Sequence, residues 1–196
     1  TKEKVDVLYH VGCLTSYDKD MQRLAKATAK ILEKAGVNFG IAGDNETCCG
    51  GRAYQMGYEK DFLNQAKKNM AMIKKAGVKT VVTSCADGYH AFKVLYDKFN
   101  LKGDLEVLHI SEFVDKLIKN GKLTPRKKVD LSVTYHDPCD LGRNARVFDA
   151  PRRSIGAVPG VTPGTSAGTP PGTYAGATPG PTPGTTPGAL AGTTSG

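Results

Sequence analysis

The sequence predicts an α/β fold built on an open parallel sheet, and three observations carry that expectation. Short apolar runs of strand character alternate with longer stretches whose apolar residues recur at helical spacing. Glycines close the helical stretches, as at Gly36 and Gly77. Each cysteine follows a strand-like run by a short loop, so the thiols share one edge of such a sheet.

Taken in order, Val5 to Tyr9 reads as a buried strand, and Cys13 follows a turn past Gly12. From Asp18 to Ala35, Met21, Leu24, Ala25, Ile31 and Leu32 form an apolar stripe in which Thr28 holds the one polar position. Val37 to Ile41 is a second strand, followed by Gly43, Asp44 and the loop Cys48-Cys49-Gly50-Gly51. Glu59 to Lys75 is a second amphipathic helix, with Phe62, Ala66, Met70 and Ile73 on one face. The run Val78 to Thr83 is a third strand, with Cys85 just beyond it. A helix over Tyr89 to Phe99, a strand at Leu105 to Leu108 and a helix from Ser111 to Asn120 follow. His109 reads as a solvent-side or capping residue before that last helix, and Leu131 to Tyr135 is a final strand ending before His136-Asp137-Pro138-Cys139. Strands alternating with helices join as right-handed parallel βαβ units, a Rossmann-like arrangement.

The remainder differs in kind. A glycine stands at every fourth position from Gly156 to Gly196, and residues 154–196 carry no charge. Repeats such as Thr162-Pro163-Gly164-Thr165 favour type II turns and have almost nothing to bury. Residues 154–196 are therefore expected to be a disordered low-complexity tail without a function of its own. Its abrupt start after Pro151-Arg152-Arg153 reads as a truncation or a frame change.

Charge and cysteine usage narrow the function classes. Lys plus Arg number 27 against 19 Asp plus Glu, a net charge of +8 that suits an acidic partner, an anionic substrate or solubility. Nucleic acid is disfavoured, because Lys26, Lys30, Lys34, Lys67 and Lys74 are scattered over helical faces with no interleaved aromatic platform. No apolar run approaches the ~20 residues of a membrane span. Thr1-Lys2-Glu3-Lys4 leads straight into a strand without a leader pattern. Five cysteines, two of them adjacent, do not suit a secreted disulfide framework. A reducing, cytoplasmic setting with metal-binding or reactive thiols is expected instead.

Cys13 is separated by 34 residues from Cys48-Cys49, which 35 residues separate from Cys85. Soft thiolates select an iron–sulfur cluster, zinc or Cu(I) over hard cations. Gly12, Gly50 and Gly51 let backbone N–H groups come close to such a centre. Met21, Met56, Met70 and Met72 read as packing and not as a copper site.

Cys13, Cys48-Cys49-Gly50 and Cys85 resemble the CCG cysteine-rich domain family, whose pattern is a single cysteine, a CC pair and a closing C-x-x-C. The segments Glu46-Thr47-Cys48-Cys49-Gly50-Gly51-Arg52-Ala53-Tyr54 and Thr83-Ser84-Cys85-Ala86-Asp87 are similar to the type found in the D subunits of heterodisulfide reductases. Tyr135-His136-Asp137-Pro138-Cys139-Asp140-Leu141-Gly142-Arg143 is similar to the opening of a second copy. The resemblance implies a cysteine-rich iron–sulfur domain over residues 1–135, the start of a truncated second domain over 136–153, and a larger two-copy protein. It further implies a [4Fe–4S] cluster, noncubane in the heterodisulfide reductases, held by Cys13, Cys48, Cys49 and Cys85, with Cys139 as a further candidate. The implied activity is that of an iron–sulfur subunit of an anaerobic oxidoreductase, passing electrons to a disulfide or related acceptor. The partners implied are ferredoxin-type, flavin or membrane cytochrome subunits and a disulfide or anionic small molecule. A cytochrome subunit would bring the chain to the cytoplasmic face of a membrane.

Gly88 stands where the family's closing cysteine falls. Four thiolates still suffice for a cubane [4Fe–4S] cluster or a closed zinc site. Hence two alternatives: a non-catalytic electron relay with a cubane cluster, and a structural zinc module. At the ligand edge, His10 and His136 are candidate proton donors, with packing or capping as the competing role. His90 is a candidate replacement ligand near Gly88. Arg52, Arg143 and Arg146 are candidate anion clamps, and Tyr54 and Tyr58 read as packing.

Overall fold

The computed structural model describes residues 4–164. Strand β1 (Val7–His10) is buried along its whole length, as a parallel strand covered on both faces must be. It lies between β2 (Phe39–Gly40) and β3 (Thr80–Thr83), and β4 (Glu106–His109) continues beyond β3. All three pairings are parallel, in the order β2-β1-β3-β4. This is the expected open α/β sheet. Its central register sets His10 opposite Thr83 and Thr83 opposite His109, so three chain segments leave the sheet at one level.

A short helix α1 (Cys13–Tyr17) that was not expected precedes helix α2 (Gln22–Lys34), which is the helix expected over Asp18 to Ala35, begun four residues later. The carboxylate of Asp18 accepts from the backbone N–H groups of Asp20 and Met21, and that turn delays the second helix. Helix α3 (Gly51–Gln55) leads into α4 (Glu59–Ala76), which Gly77 closes in the left-handed conformation, φ 68°. After β3 comes one continuous helix: α5 (Ala86–His90), a π-helical segment Ala91–Leu95, and α6 (Tyr96–Lys98). Helix α7 (Ile110–Lys119) follows β4.

The main core lies between the sheet and the helices α4 and α5–α6, where Leu8, Val81 and Val107 meet Phe62, Ala66, Ile73, Tyr89, Phe92 and Tyr96. A smaller cluster of Val7, Val82 and Leu108, with Phe39 and Phe113 against it, covers the other face.

Strand β5 (Leu131–Thr134) departs from expectation by staying out of this sheet. It pairs in parallel with β6 (Val161–Gly164) as a separate two-stranded sheet. Leu131, Ser132 and Thr134 are exposed, so the segment lacks the two apolar faces that a place in the main sheet requires. The first periods of the glycine repeat are likewise ordered into elements. Helix α8 (Asp149–Gly156) ends on one repeat glycine, and β6 contains another. The rest of the repeat, residues 165–196, lies outside the described residues.

The segment read as the opening of a second domain packs on the first. Arg153 of α8 reaches Asp115 of α7, Nε to Oδ1 at 3.0 Å and NH2 to Oδ2 at 2.8 Å, and the Ser154 hydroxyl donates to the Ser111 carbonyl at 3.0 Å. Arg152 holds Asp137 in a bidentate pair at 2.7 Å each. The last element before α8 is a π-helical segment, Asp140–Asn144, that packs against α5.

Candidate functional site

Three chain segments bring thiols to the carboxyl end of the sheet. Beyond β1, Gly12 takes φ 86°, a conformation open to glycine, and turns the chain so that Cys13 begins α1. Beyond β3, Cys85 is the N-cap of α5: its Sγ accepts from the Gly88 N–H at 3.4 Å, and its own N–H donates to Thr83 Oγ1 at 3.2 Å. Between them lies the loop of Cys48 and Cys49. There Gly50, at φ 79°, donates its N–H to Cys48 Sγ at 3.4 Å.

The thiols meet. Cys48 lies within electrostatic reach of both Cys49 and Cys13, and the charge of Cys85 is felt at Cys13 and Cys49. The glycine backbones run close against them. A Cβ at Gly51 would stand 3.7 Å from Cys49 Sγ, and one at Gly12 would stand 3.8 Å from Cys85 Cβ. Among the described residues, no three His, Cys, Asp or Glu side chains close around a single metal-ion position. The donor set is nonetheless all thiol, glycine-walled and supplied with N–H groups, which fits the chemistry of an iron–sulfur cluster.

Mutual hydrogen bonding divides the protons unequally. The bond from Cys49, helped by the Gly50 N–H and by Cys13, brings Cys48 down to about 5 against the opposing effect of burial. Cys49 is pushed upward by giving its proton to Cys48 and by burial. Burial is the leading cause of the rise at Cys13 and Cys85.

A buried frame carries the CC loop. Three consecutive carbonyls each accept from a different element: Thr47 from His10 Nε2 at 3.2 Å, Cys48 from Asn69 Nδ2 at 2.9 Å, and Cys49 from the Tyr96 hydroxyl at 3.0 Å. One residue earlier, the Glu46 carboxylate accepts from the N–H groups of Val11 and Gly12 at 3.0 and 2.7 Å. That tie joins the CC loop to the turn bearing Cys13.

The other candidate residues fall into distinct places. His10 is 1% exposed and packs edge-on against Phe92; donation from Nε2 leaves Nδ1 without a hydrogen-bond partner among the described residues. His136 and Cys139 are exposed. His90 Nδ1 stands 3.7 Å from Asp140 Oδ1. Asp140, which follows Cys139, also accepts from Asn144 at 2.6 Å and Gln55 at 3.4 Å, and shares a hydrogen bond with Asp87. That shared bond is the main cause of the raised Asp87 carboxyl. Arg52 pairs with Asp87 at 3.5 Å, whereas Arg143 and Arg146 are exposed. Tyr54 packs on Phe62 and Phe99, as expected, while Tyr58 is exposed. Both π-helical segments flank this region, a deviation often found at functional sites.

A cavity of about 760 Å³ opens beside Cys13 and Cys48, with Tyr17, Lys26, Gln65 and Lys68 among its walls. Sequence reasoning missed Glu46, Asn69 and Tyr96. A signal existed for Asn69: it lies in the buried stripe of α4 with Phe62, Ala66 and Ile73, where a polar residue needs partners.

Residues 7–93 match the family model described as the CCG cysteine-rich domain. The chain is 40% identical over 166 residues to the D subunit of the dihydromethanophenazine:CoB–CoM heterodisulfide reductase of Methanosarcina mazei, covering 82% of this chain and 40% of the relative. It is 37% identical to the EtfAB:quinone oxidoreductase of Syntrophomonas wolfei, covering 81% and 22% of the two chains. It is 39% identical to the probable iron–sulfur-binding oxidoreductase FadF of Bacillus subtilis, again covering 81% and 22%. The chain thus spans well under half the length of these relatives. No solved structure matches.

Proposed function

Residues 7–93 of this chain are a cysteine-rich domain of the CCG family, and on that footing we propose that the chain is the iron–sulfur part of a heterodisulfide reductase-type oxidoreductase. Cys13, Cys48, Cys49 and Cys85 are its cluster ligands. The observation that carries the proposal is the meeting of four thiols from three segments, with backbone N–H groups of Gly50 and Gly88 donating to two of the sulfurs. When bound, the cluster supplies one-electron transfer between a partner subunit and an acceptor.

The chain's own residues shape the rest. Cys13 and Cys48 are the exposed thiols of the four, so the acceptor approaches from their side, through the cavity they line. Lys26 and Lys68 share its wall with Asp44 and Glu46, so groups of both signs line the approach. A disulfide acceptor takes two electrons and two protons to give two thiols. His136, exposed, is assigned to proton delivery, and His10, enclosed, to holding the CC loop. The electron donor is a ferredoxin-type, flavin or cytochrome subunit. Among the described residues no helix is long and apolar enough to cross a membrane.

Gly88 favours a second reading, a relay subunit with a four-thiolate cubane cluster and no substrate of its own. Assay of the assembled complex with a reduced viologen and a heterodisulfide separates the two. Turnover that is lost in Cys48→Ser supports the enzyme. A complex that reduces no disulfide, yet passes electrons between its other centres, is a relay. An unchanged rate in His136→Ala removes that residue from proton delivery.

A further inference from the structure

Two buried polar side chains in the main core are not used by packing alone. Asn69 is 1% exposed and Tyr96 is fully enclosed. They form a directed series of hydrogen bonds. The Thr47 hydroxyl donates to Asn69 Oδ1 at 3.0 Å, which fixes which end of the amide carries the N–H groups. Asn69 Nδ2 then donates to the Cys48 carbonyl at 2.9 Å and to the Tyr96 hydroxyl oxygen at 3.2 Å. With its oxygen so occupied, the Tyr96 hydroxyl donates to the Cys49 carbonyl at 3.0 Å.

That carbonyl shares a peptide unit with the Gly50 N–H. A trans peptide is planar, and its C=O and N–H point in opposite directions. Holding the Cys49 oxygen inward on Tyr96 therefore turns the Gly50 N–H outward, onto Cys48 Sγ at 3.4 Å. Gly50 also sits at φ 79°, where the plane has few other restraints from a side chain. The peptide plane is thus gripped on one side by a phenol and ends on the other at a sulfur.

We propose that Tyr96 and Asn69 are positioning residues that orient the Cys49–Gly50 peptide toward the Cys48 sulfur and thereby tune the reduction potential of the bound cluster. The tuning half rests on the cluster assignment; the orienting half does not. Hydrogen bonds to a ligand sulfur stabilise the more negative, reduced state, so losing this one makes the potential more negative. Bonds in such a buried series strengthen one another, so removing the phenol hydroxyl acts on the far end.

The test is Tyr96→Phe in the full chain, which deletes the hydroxyl and keeps the ring, with Asn69→Leu as a second variant and Ile73→Val as a core control. Two readouts are taken: amide hydrogen exchange at Gly50 in the cluster-free protein, and a redox titration of the iron-loaded protein followed by EPR. In Tyr96→Phe, Gly50 exchange should rise roughly five- to tenfold, and the reduced-to-oxidised ratio at fixed ambient potential should fall by a similar factor, the loss of about one hydrogen bond. Ile73→Val should change neither. Gly50 exchange unaltered in both folded variants overturns the proposal. Faster exchange with an unmoved potential overturns the tuning. A variant that unfolds is replaced by the other, whose exchange decides in the same way. A chain that takes up no iron fails the cluster assignment instead, and the exchange readout still judges the clamp.

Discussion

Gly50 and Gly88 each donate an N–H to a cysteine sulfur at 3.4 Å, yet they tolerate substitution differently. At Gly50 the left-handed φ of 79° and a Cβ that would press on Phe62 at 3.1 Å both oppose a side chain. Gly88 lies within α5, and a Cβ there would find ordinary contact at 3.4 Å with Cys85 and Thr83. Gly50→Ala should therefore cost about 1–3 kcal/mol. Gly88→Ala should be neutral or stabilise by about 0.5–1 kcal/mol. Denaturant midpoints of the two variants check the contrast, and equal midpoints would contradict it. At this scale the thiols were legible because cysteine chemistry announces itself in spacing. Their supports were not. Glu46, Asn69 and Tyr96 act through contacts 21 to 47 residues apart in sequence, which no local pattern records.

Helix α7 shows how a local signal can be read correctly in kind and misplaced in detail. His109 does cap it: Nδ1 accepts from the Ser111 N–H at 3.3 Å, while Glu112 closes the box on the His109 N–H at 3.0 Å. The residue is buried, however, and not on the solvent side, because β4 delivers it to the edge of the core. Burial brings its imidazole down to about 4 from an ordinary 6.5. A proton on Nδ1 would also remove the acceptor that the cap requires. Since the folded value lies below the unfolded one, the contribution to stability is complete above pH 6.5 and is lost as pH falls toward 4. The loss should be on the order of 3 kcal/mol. His109→Asn, which keeps a capping acceptor without titrating near neutrality, should flatten unfolding free energy between pH 6.5 and 4; an unchanged slope would contradict this assignment.

Across the whole molecule, alternation of strand and helix was enough to place four parallel strands and to bring Cys13, the CC loop and Cys85 to one edge. The same alternation misplaced β5, because a short run of mixed polarity does not reveal which strand it will pair with. Residues 136–164 instead attach through specific ion pairs, above all Arg153 with Asp115. The bonds from Arg153 and Lys119 hold the Asp115 carboxyl below the usual carboxylate range. Arg153→Ala leaves that buried carboxylate with Lys119 alone and should cost about 1 kcal/mol of stability. The same loss at high and low salt in thermal unfolding would point to packing instead of the ion pair.

We propose that the four thiols hold an iron–sulfur cluster. Iron, acid-labile sulfide and zinc content of anaerobically purified protein, with an EPR spectrum before and after reduction, tests it most directly. About four irons and four sulfides per chain, a redox-dependent signal, and loss of both on Cys48→Ser or Cys85→Ser are the predicted result. One zinc per chain with no sulfide and no signal would contradict it, and would make the site a structural zinc module.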